Sequence, residues 1–296
     1  MKLVHADEVE WKRGLEHRGG TFHYRHLLEG KPGTPGNFHL GIGQQDGDFV
    51  SPRHRHNFDQ FRFQLEGTSN FDRNGKMTPG ILGYFPEGAA YGPQSSEGRS
   101  VTAVLQFGGA SGSGYLSNRE TRAAMEELKQ LGEFKDGVFR RKVPFHGKKN
   151  ADGNQAIWEH HHQRPIVFPK PRYPQPLMMD PRNYAWVPVE DAPGVHEKLL
   201  GVFTERRTEA GLYKLDPGAA FTAKGRGVFL VLRGAGTVAG EPIRPLTTLH
   251  LDWQQTATFA ASTETEIMHF GLPNLAGVTL SLDGEREDDA AAVAAE

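Results

Sequence analysis

Two histidines spaced two residues apart, His54 and His56, are the residues of this chain whose types and spacing most directly suggest chemistry. They lie in the segment 52–67, PRHRHNFDQFRFQLEG, and residues two apart in a β-strand point to the same face. Gln60 follows His56 by four residues and shares that phase. Two imidazoles and an amide oxygen are ligands that a divalent first-row transition metal accepts. The segment is therefore suited to a metal site at His54, His56 and Gln60, and the alternative from the spacing alone is a surface or core histidine pair.

The same alternation places Arg62 and Gln64 on the Gln60 face, and the intervening phenylalanines on the other. A guanidinium inside a barrel needs a partner, and it is suited to clamp a substrate carboxylate or enolate. We expect Arg62 and Gln64 to line a substrate pocket, with Arg62 as a catalytic residue. The alternatives are that Arg62 pairs with an internal glutamate or lies at the barrel mouth. Asp59 falls on the opposite face, so Gln60 is preferred as the ligand.

Composition excludes several classes of function. The 296 residues carry 34 Lys+Arg and 36 Asp+Glu, a near balance that argues against nucleic-acid binding. The absence of cysteine excludes disulfides, thiolate nucleophiles and Cys-ligated metal sites. The N-terminus has no signal-like apolar run, and no stretch suits a membrane span. We expect a cytoplasmic protein with no membrane partner.

Short β-branched and aromatic segments bounded by turn residues recur along the chain, a pattern typical of an all-β sandwich or barrel. The predicted strands are 21–28, 38–44, 60–65, 80–85 and 100–107, and then 198–204, 208–215, 227–232, 246–252, 266–272 and 278–282. Between the two series, 117–131 predicts a helix, and the proline-rich segment 165–176 predicts an extended linker. The predicted domains are 1–116, a connection over 117–176, 177–284, and a flexible acidic tail over 285–296.

Two linked motifs resemble those of the cupin superfamily. The pattern His54-x-His56-x3-Gln60-x6-Gly67 resembles the first cupin motif, and the segment 80–91, GILGYFPEGAAY, resembles the second. Tyr91 stands where that second motif usually has histidine. The resemblance implies two tandem cupin barrels (jelly rolls, or double-stranded β-helices), a bicupin with a helical and proline-rich connection. It also implies Tyr91 as a fourth metal ligand or an acid–base group.

The second half resembles a cupin whose metal motif has been lost. Lys224 and Arg226 stand at the positions of the histidine pair, and Thr258 stands near the position of the third histidine. Cations do not replace imidazole ligands. We expect the C-terminal barrel to be structural or to bind an anion.

The resemblance implies a metal-dependent enzyme acting on a small organic substrate, most consistent with a dioxygenase-type oxidoreductase. Fe(II) or Mn(II) is preferred as the metal, with Ni, Zn or Cu as alternatives. Two other hypotheses stay open: a metal-dependent lyase, isomerase or cyclase, and a non-catalytic small-molecule-binding bicupin. Exposed strand edges favour a homodimer.

Two further segments are expected to be loops without a catalytic role. Consecutive histidines at 160–162 alternate faces and do not form one ligand set on a strand. The glycine-rich run 108–114 lacks the Lys-Ser/Thr of a nucleotide loop and is expected to be a mobile loop at the barrel mouth.

Overall fold

The computed structural model describes residues 1–14 and 16–282, so the predicted acidic tail 285–296 lies outside the described residues. The chain divides into two compact units. One comprises Met1–Glu10, His26–Leu28 and Met179–Ala276 and is called here the C-terminal barrel. The other comprises Trp11–Arg25, Glu29–Met178 and 277–282 and is called the N-terminal barrel. Both are built mainly from antiparallel strands, as the sequence predicts.

The first fourteen strands in chain order are β1 (Lys2–His5), β2 (Lys12–Arg13), β3 (Phe22–Glu29), β4 (Phe38–Gln45), β5 (Val50–Ser51), β6 (Asp59–Glu66), β7 (Ser69–Asn70), β8 (Lys76–Met77), β9 (Leu82–Phe85), β10 (Gln94–Ser95), β11 (Ser100–Phe107), β12 (Gly132–Lys135), β13 (Val138–Phe145) and β14 (Lys148–Asp152). The helices are α1 (Asn118–Leu131) and α2 (Gly153–His162), with 3-10 turns at Ala6–Glu8 and Pro181–Asn183.

The remaining strands are β15 (Leu177–Met179), β16 (Val187–Pro188), β17 (Val195–Val202), β18 (Glu209–Leu215), β19 (Ala220–Lys224), β20 (Gly227–Arg233), β21 (Gly236–Val238), β22 (Glu241–Ile243), β23 (Thr247–Leu251), β24 (Thr256–Ala261) and β25 (Thr265–Gly271). Segment 278–282 forms no strand, so that predicted strand is wrong.

A seven-stranded sheet of order β15-β9-β6-β11-β4-β3-β2 forms the main wall of the N-terminal barrel, with the two-stranded ribbons β5-β10 and β7-β8. Strand β6 lies between β9 and β11, and its side chains alternate as the sequence predicts. Gln60 and Arg62 line an internal cavity, whereas Phe61 packs against Tyr84 and Phe107 on the other face. Both faces of β6 are therefore covered, one by a cavity and one by aromatic packing.

The C-terminal barrel has a seven-stranded sheet of order β1-β23-β20-β25-β18-β17-β16 and a four-stranded sheet of order β19-β24-β21-β22. Strand β1 pairs with β23, with Lys2 opposite His250. Residues 1–10 therefore belong to the C-terminal barrel, not to the N-terminal one over 1–116 as predicted. The sequence of β1 does not indicate this pairing, because its partner β23 lies more than 240 residues away in the chain.

The predicted helix over 117–131 is confirmed as α1. Ser117 caps it, and a capping box with Glu120 satisfies backbone donors at its first turn. Its Met125 and Leu128 pack in an apolar cluster with Phe139 and other residues of the connecting region. The sequence correctly places the cap because both capping residues are local.

The region after α1 differs from the predicted polar stretch and loop. It forms the sheet β12-β13-β14 and helix α2, which Asp152 caps through the backbone N–H groups of Asn154 and Gln155. The triple histidine 160–162 forms the end of α2, and His160 contacts Glu127 of α1 at 2.7 Å. The loop prediction for these histidines is therefore wrong, because the Asp152 cap and the packing on α1 stabilise a short helix.

Among the described residues, no helix combines the length and the apolar character needed to cross a membrane.

Candidate functional site

The two cupin-like motifs meet directly through the backbone ahead of β6. The His54 N–H donates to Tyr91 O at 3.0 Å, and the Tyr91 N–H donates to His54 O at 2.9 Å. The Gly88 N–H donates to His56 O at 2.7 Å. Gly88 has a φ of 79° and lies against the backbone of Pro169, so a side chain there has no room. The histidines thus lie in a hydrogen-bonded segment that precedes β6, so the strand alternation expected to place them on the Gln60 face applies only from β6 onward.

The imidazoles of His54 and His56 lie side by side, with ring centroids 4.9 Å apart. His54 Nδ1 donates to Pro52 O at 2.6 Å, because a carbonyl oxygen only accepts. This fixes the tautomer and leaves the buried His54 Nε2 without a hydrogen-bond partner among the described residues. His56 Nδ1 is also buried and unpartnered there.

Both histidines are held neutral. Burial, assisted by the charge of Arg18, lowers the pKa of His54 to about 3. Burial, assisted by His54 and Arg18, places the pKa of His56 well below its ordinary value. A neutral imidazole has a lone pair to offer, so both side chains are in the form that binds a metal.

Gln60, Arg62 and Tyr91 form a tight hydrogen-bonded group beside the histidines. Arg62 Nη2 donates to Gln60 Oε1 at 2.9 Å and to Tyr91 Oη at 2.8 Å, and Arg62 Nε donates to Gln60 Oε1 at 3.3 Å. Gln60 Nε2 also donates to Tyr91 Oη at 2.9 Å. The guanidinium of Arg62 thus contacts both oxygens that the sequence assigns as metal ligands.

Arg62 has no acidic partner among the described residues. Its guanidinium carbon lies 4.3 Å from the centroid of the Phe85 ring and 5.1 Å from that of Tyr91. Burial lowers the pKa of Arg62 from its ordinary value. The alternative that Arg62 pairs with an internal glutamate is therefore not what the structure shows.

A cavity of about 180 Å³ lies inside the barrel and is lined by His56, Gln60 and Arg62. Aromatic side chains form much of its remaining wall, namely those of Phe22, Tyr24, Phe49, Phe58, Tyr115 and Trp158. No aspartate or glutamate is among the described lining residues.

Gln64 does not line this cavity. Its Nε2 donates to Glu66 O at 2.8 Å, and its Oε1 accepts from Ser69 Oγ at 2.9 Å and from Thr102 Oγ1 at 3.0 Å. These bonds use the amide to close the end of β6, so the residue stabilises the strand and its turn.

Arg18 and His17 also line the cavity, although no sequence pattern indicates them. Arg18 Nη1 donates to Asp152 Oδ2 at 2.8 Å, so a carboxylate balances its charge. Burial lowers the pKa of His17 to about 3. Both residues precede the first predicted strand, and no local pattern links them to the histidine motif.

Asp59 lies on the opposite face of β6, as predicted, and forms a buried acidic pair with Glu87 that the sequence does not indicate. The Glu87 N–H donates to Asp59 Oδ1 at 2.8 Å, and both side chains are buried. Glu87 accepts hydrogen bonds from Ser111 Oγ at 2.6 Å and from Arg172 Nη1 at 2.7 Å. Burial and the neighbouring Glu87 raise the pKa of Asp59 to about 8, and burial raises that of Glu87.

These bonds fix the loop 108–114, which is buried instead of mobile as predicted. Ser111 and Ser113 hydrogen-bond each other at 2.9 Å, beside Glu87. Glu87 lies between Pro86 and Gly88 of the second motif. Its buried contacts therefore also fix the position of Gly88, whose N–H donates to His56 O.

In the C-terminal barrel the positions of the histidine pair do not form a comparable site. Lys224 is exposed, and Arg226 donates to Pro273 O. The interior is an apolar cluster that includes Phe229, Phe259 and Ile267.

No protein-family model matches the sequence, and no curated protein matches it. Solved structures do match over most of the chain. A proposed dioxygenase of Nostoc punctiforme has 11% identity and a TM-score of 0.61, covering 91% of this chain and 81% of that one. An oxalate decarboxylase variant of Bacillus subtilis has 13% identity and a TM-score of 0.54, covering 92% and 77%. The Escherichia coli pirin in complex with nickel(II) has 12% identity and a TM-score of 0.50, covering 92% and 98%.

These proteins share the cupin fold, and the oxalate decarboxylase has two cupin barrels. With two antiparallel barrels and the paired motifs meeting in the first, this chain has the bicupin fold.

Proposed function

We propose that the N-terminal barrel is the active site of a metal-dependent enzyme that acts on a small organic substrate. The observation that carries the proposal is the pair of neutral, buried imidazoles at His54 and His56. Each has a buried nitrogen with no hydrogen-bond partner among the described residues, and His56 lines the cavity of the barrel. Buried polar atoms without partners are costly, and a metal ion at the imidazole nitrogens satisfies such atoms.

The donor set fits a divalent transition metal, with one condition. His54 and His56 would hold the ion directly, whereas Gln60 Oε1 and Tyr91 Oη are engaged by Arg62. These two oxygens would join the metal ligands only in a conformation in which the Arg62 guanidinium no longer donates to them. When bound, an ion at this site supplies Lewis acidity and, for Fe(II) or Mn(II), redox chemistry with oxygen.

The chain's own residues provide binding, orientation and exclusion of water. The aromatic wall shields part of the pocket from water, and electrostatic contacts are stronger there than in bulk water. Arg62 presents a cation beside the histidines, suited to orient an anionic or enolisable group. We favour oxygen-dependent oxidation, and the similarity to the proposed dioxygenase of Nostoc punctiforme supports this choice. The similarity to the nickel-bound pirin supports a divalent metal.

The test is element analysis of untagged, unchelated protein, followed by titration with Fe(II), Mn(II) and Ni(II). We expect about one metal per chain, lost in the His54→Ala/His56→Ala double variant. Oxygen uptake with diketones, catechols and hydroxy acids then identifies the reaction class. Protein that retains no transition metal and binds none at micromolar concentration overturns the proposal.

A second candidate is a non-catalytic binding module. The bonds from Arg62 to Gln60 and Tyr91 favour it, because they engage two of the four assigned ligand atoms with a side-chain cation. Ligand binding that is unchanged in His56→Ala, with no dependence on metal, would support the module over the enzyme.

A further inference from the structure

The cavity of the N-terminal barrel is rich in cationic and hydrogen-bonding groups. Its lining contains two arginines and three histidines: Arg18, Arg62, His17, His39 and His56. No described lining residue is acidic, although the whole chain has slightly more acidic than basic residues. The excess of basic over acidic side chains is therefore specific to the pocket lining and does not reflect the composition of the whole chain.

The two arginines differ in how their charge is balanced. Arg18 pairs with Asp152, and both side chains are largely buried. Arg62 bonds only to the Gln60 amide and the Tyr91 phenol among the described residues, and its Nη1 makes no hydrogen bond there. Arg62 is half-buried, so water solvates its charge only in part, and an anionic ligand that enters the pocket supplies the counter-ion. Arg62 is therefore the group that a ligand's carboxylate would engage.

The rest of the pocket is suited to a flat apolar body. The cavity volume of about 180 Å³ exceeds the roughly 150 Å³ of an apolar cavity that binds benzene. Tyr115 packs edge-on against Phe58, with centroids 4.9 Å apart, and both line the cavity. Aromatic walls stack well on another ring.

We propose that this cavity binds an organic carboxylate carrying an apolar body of about one aromatic ring, with Arg62 as its counter-ion. The inference names the substrate class for the active site proposed above and rests on that assignment for its catalytic meaning. Carboxylate binding itself depends only on Arg62 and the cavity, so it is expected in metal-free protein.

The experiment measures binding of three probes to the full-length, chelator-treated protein by calorimetry. Benzoate supplies both features, benzamide replaces the charge with an amide, and acetate lacks the ring. We expect benzoate to bind at least about tenfold more tightly than either of the other two probes, because a hydrogen bond to a charged group is worth about tenfold or more. Equal binding of benzoate and benzamide, or no binding of benzoate, overturns the proposal.

Two variants locate the anion partner, and a third is the control. Arg62→Met removes the cation, and Gln60→Glu gives Arg62 an internal carboxylate that competes with the ligand. Both are expected to weaken benzoate binding about tenfold or more. Arg55→Met removes an exposed arginine of the same segment and is expected to leave binding unchanged. Wild-type affinity in folded Arg62→Met and Gln60→Glu protein overturns the role of Arg62.

The outcomes separate this inference from the proposed function. Metal binding without selective benzoate binding refutes the carboxylate site and leaves the metal site standing. Selective benzoate binding in a protein that takes up no metal refutes the metal-dependent enzyme and leaves the carboxylate site standing.

Discussion

Arg62 contacts two of the atoms that a metal at this site would use. Its guanidinium holds Gln60 Oε1 and Tyr91 Oη at 2.9 and 2.8 Å. A divalent ion held by the histidines would have the same sign of charge as this guanidinium, and like charges close together in a protein repel. In the absence of an anionic ligand, the arginine and the metal therefore oppose each other.

This opposition predicts that Arg62→Met binds Ni(II) or Mn(II) more tightly than the wild type, by about tenfold or more. The substitution removes the repulsion and releases both oxygens. Calorimetric metal titration measures the change, with Arg55→Met as the matched loss of one exposed positive charge. An unchanged or weaker metal affinity in folded Arg62→Met would show that the arginine does not compete with the ion.

The site residues differ in how well the sequence predicts them. His54, His56, Gln60, Arg62 and Tyr91 lie together, as the two motifs indicate, and strand phase accounts for Gln60 and Arg62 within β6. The hydrogen bonds from Arg62 could not be predicted, because spacing gives the face of a strand but not the direction of a long side chain. The metal role of these residues stays a prediction.

At the level of elements, the buried pair of Glu87 and Arg172 joins the second motif to the proline-rich segment. Their atoms are 2.7 Å apart, and the side chains are 1% and 9% exposed. Tyr173 of the same segment lies against Tyr84, with ring centroids 6.1 Å apart. The segment predicted as a linker is thus a packed part of the N-terminal barrel.

We predict that Arg172→Met lowers the free energy of unfolding by about 3 kcal/mol, because it leaves Glu87 buried without its cation. The double variant Arg172→Met/Glu87→Gln should recover part of this loss, since no unpaired charge remains. Chemical denaturation of both variants and the wild type measures the difference. Equal stability of Arg172→Met and wild type would mean that the ion pair contributes nothing to the fold.

The elements themselves were predictable where their signals are local. The Ser117 cap and the alternation in β6 gave the correct helix and the correct strand face. The sheet β12-β13-β14 was not predicted, because exposed lysines and arginines interrupt the alternation of apolar residues in its strands. Helix α2 was not predicted, because it contains few apolar residues. In these cases packing on α1 decides the structure.

At the scale of the whole molecule, two tandem barrels were predictable from the repeated strand series and the motifs. The pairing of β1 with β23 was not, because it joins residues more than 240 positions apart, as in Val4 opposite Thr248. Strand β1 pairs with the edge strand β23 only once the sheet has formed. The residues of β1 alone therefore do not predict this partner.

The buried histidines of both barrels make the stability of the molecule depend on pH. Burial lowers the pKa of His17 and His54 to about 3 and that of His269 to about 4. The unfolded chain therefore binds protons between the folded pKa and about 6.5 that the folded chain does not, so stability falls as the pH drops through this window. Asp59 acts in the opposite direction, because its raised pKa makes the folded state retain a proton up to about pH 8.

His269 gives the cleanest test because it lies in the C-terminal barrel, stacked on Phe229 with centroids 4.6 Å apart. We predict that His269→Phe reduces the loss of stability between pH 6.5 and 4 by up to about 3 kcal/mol, since each pKa unit corresponds to about 1.4 kcal/mol. His269→Gln should reduce it similarly while differing in packing, which separates titration from shape. Urea denaturation followed from pH 4 to 7 measures the slope. If both variants retain the wild-type slope, protonation of His269 does not limit the acid stability of this barrel.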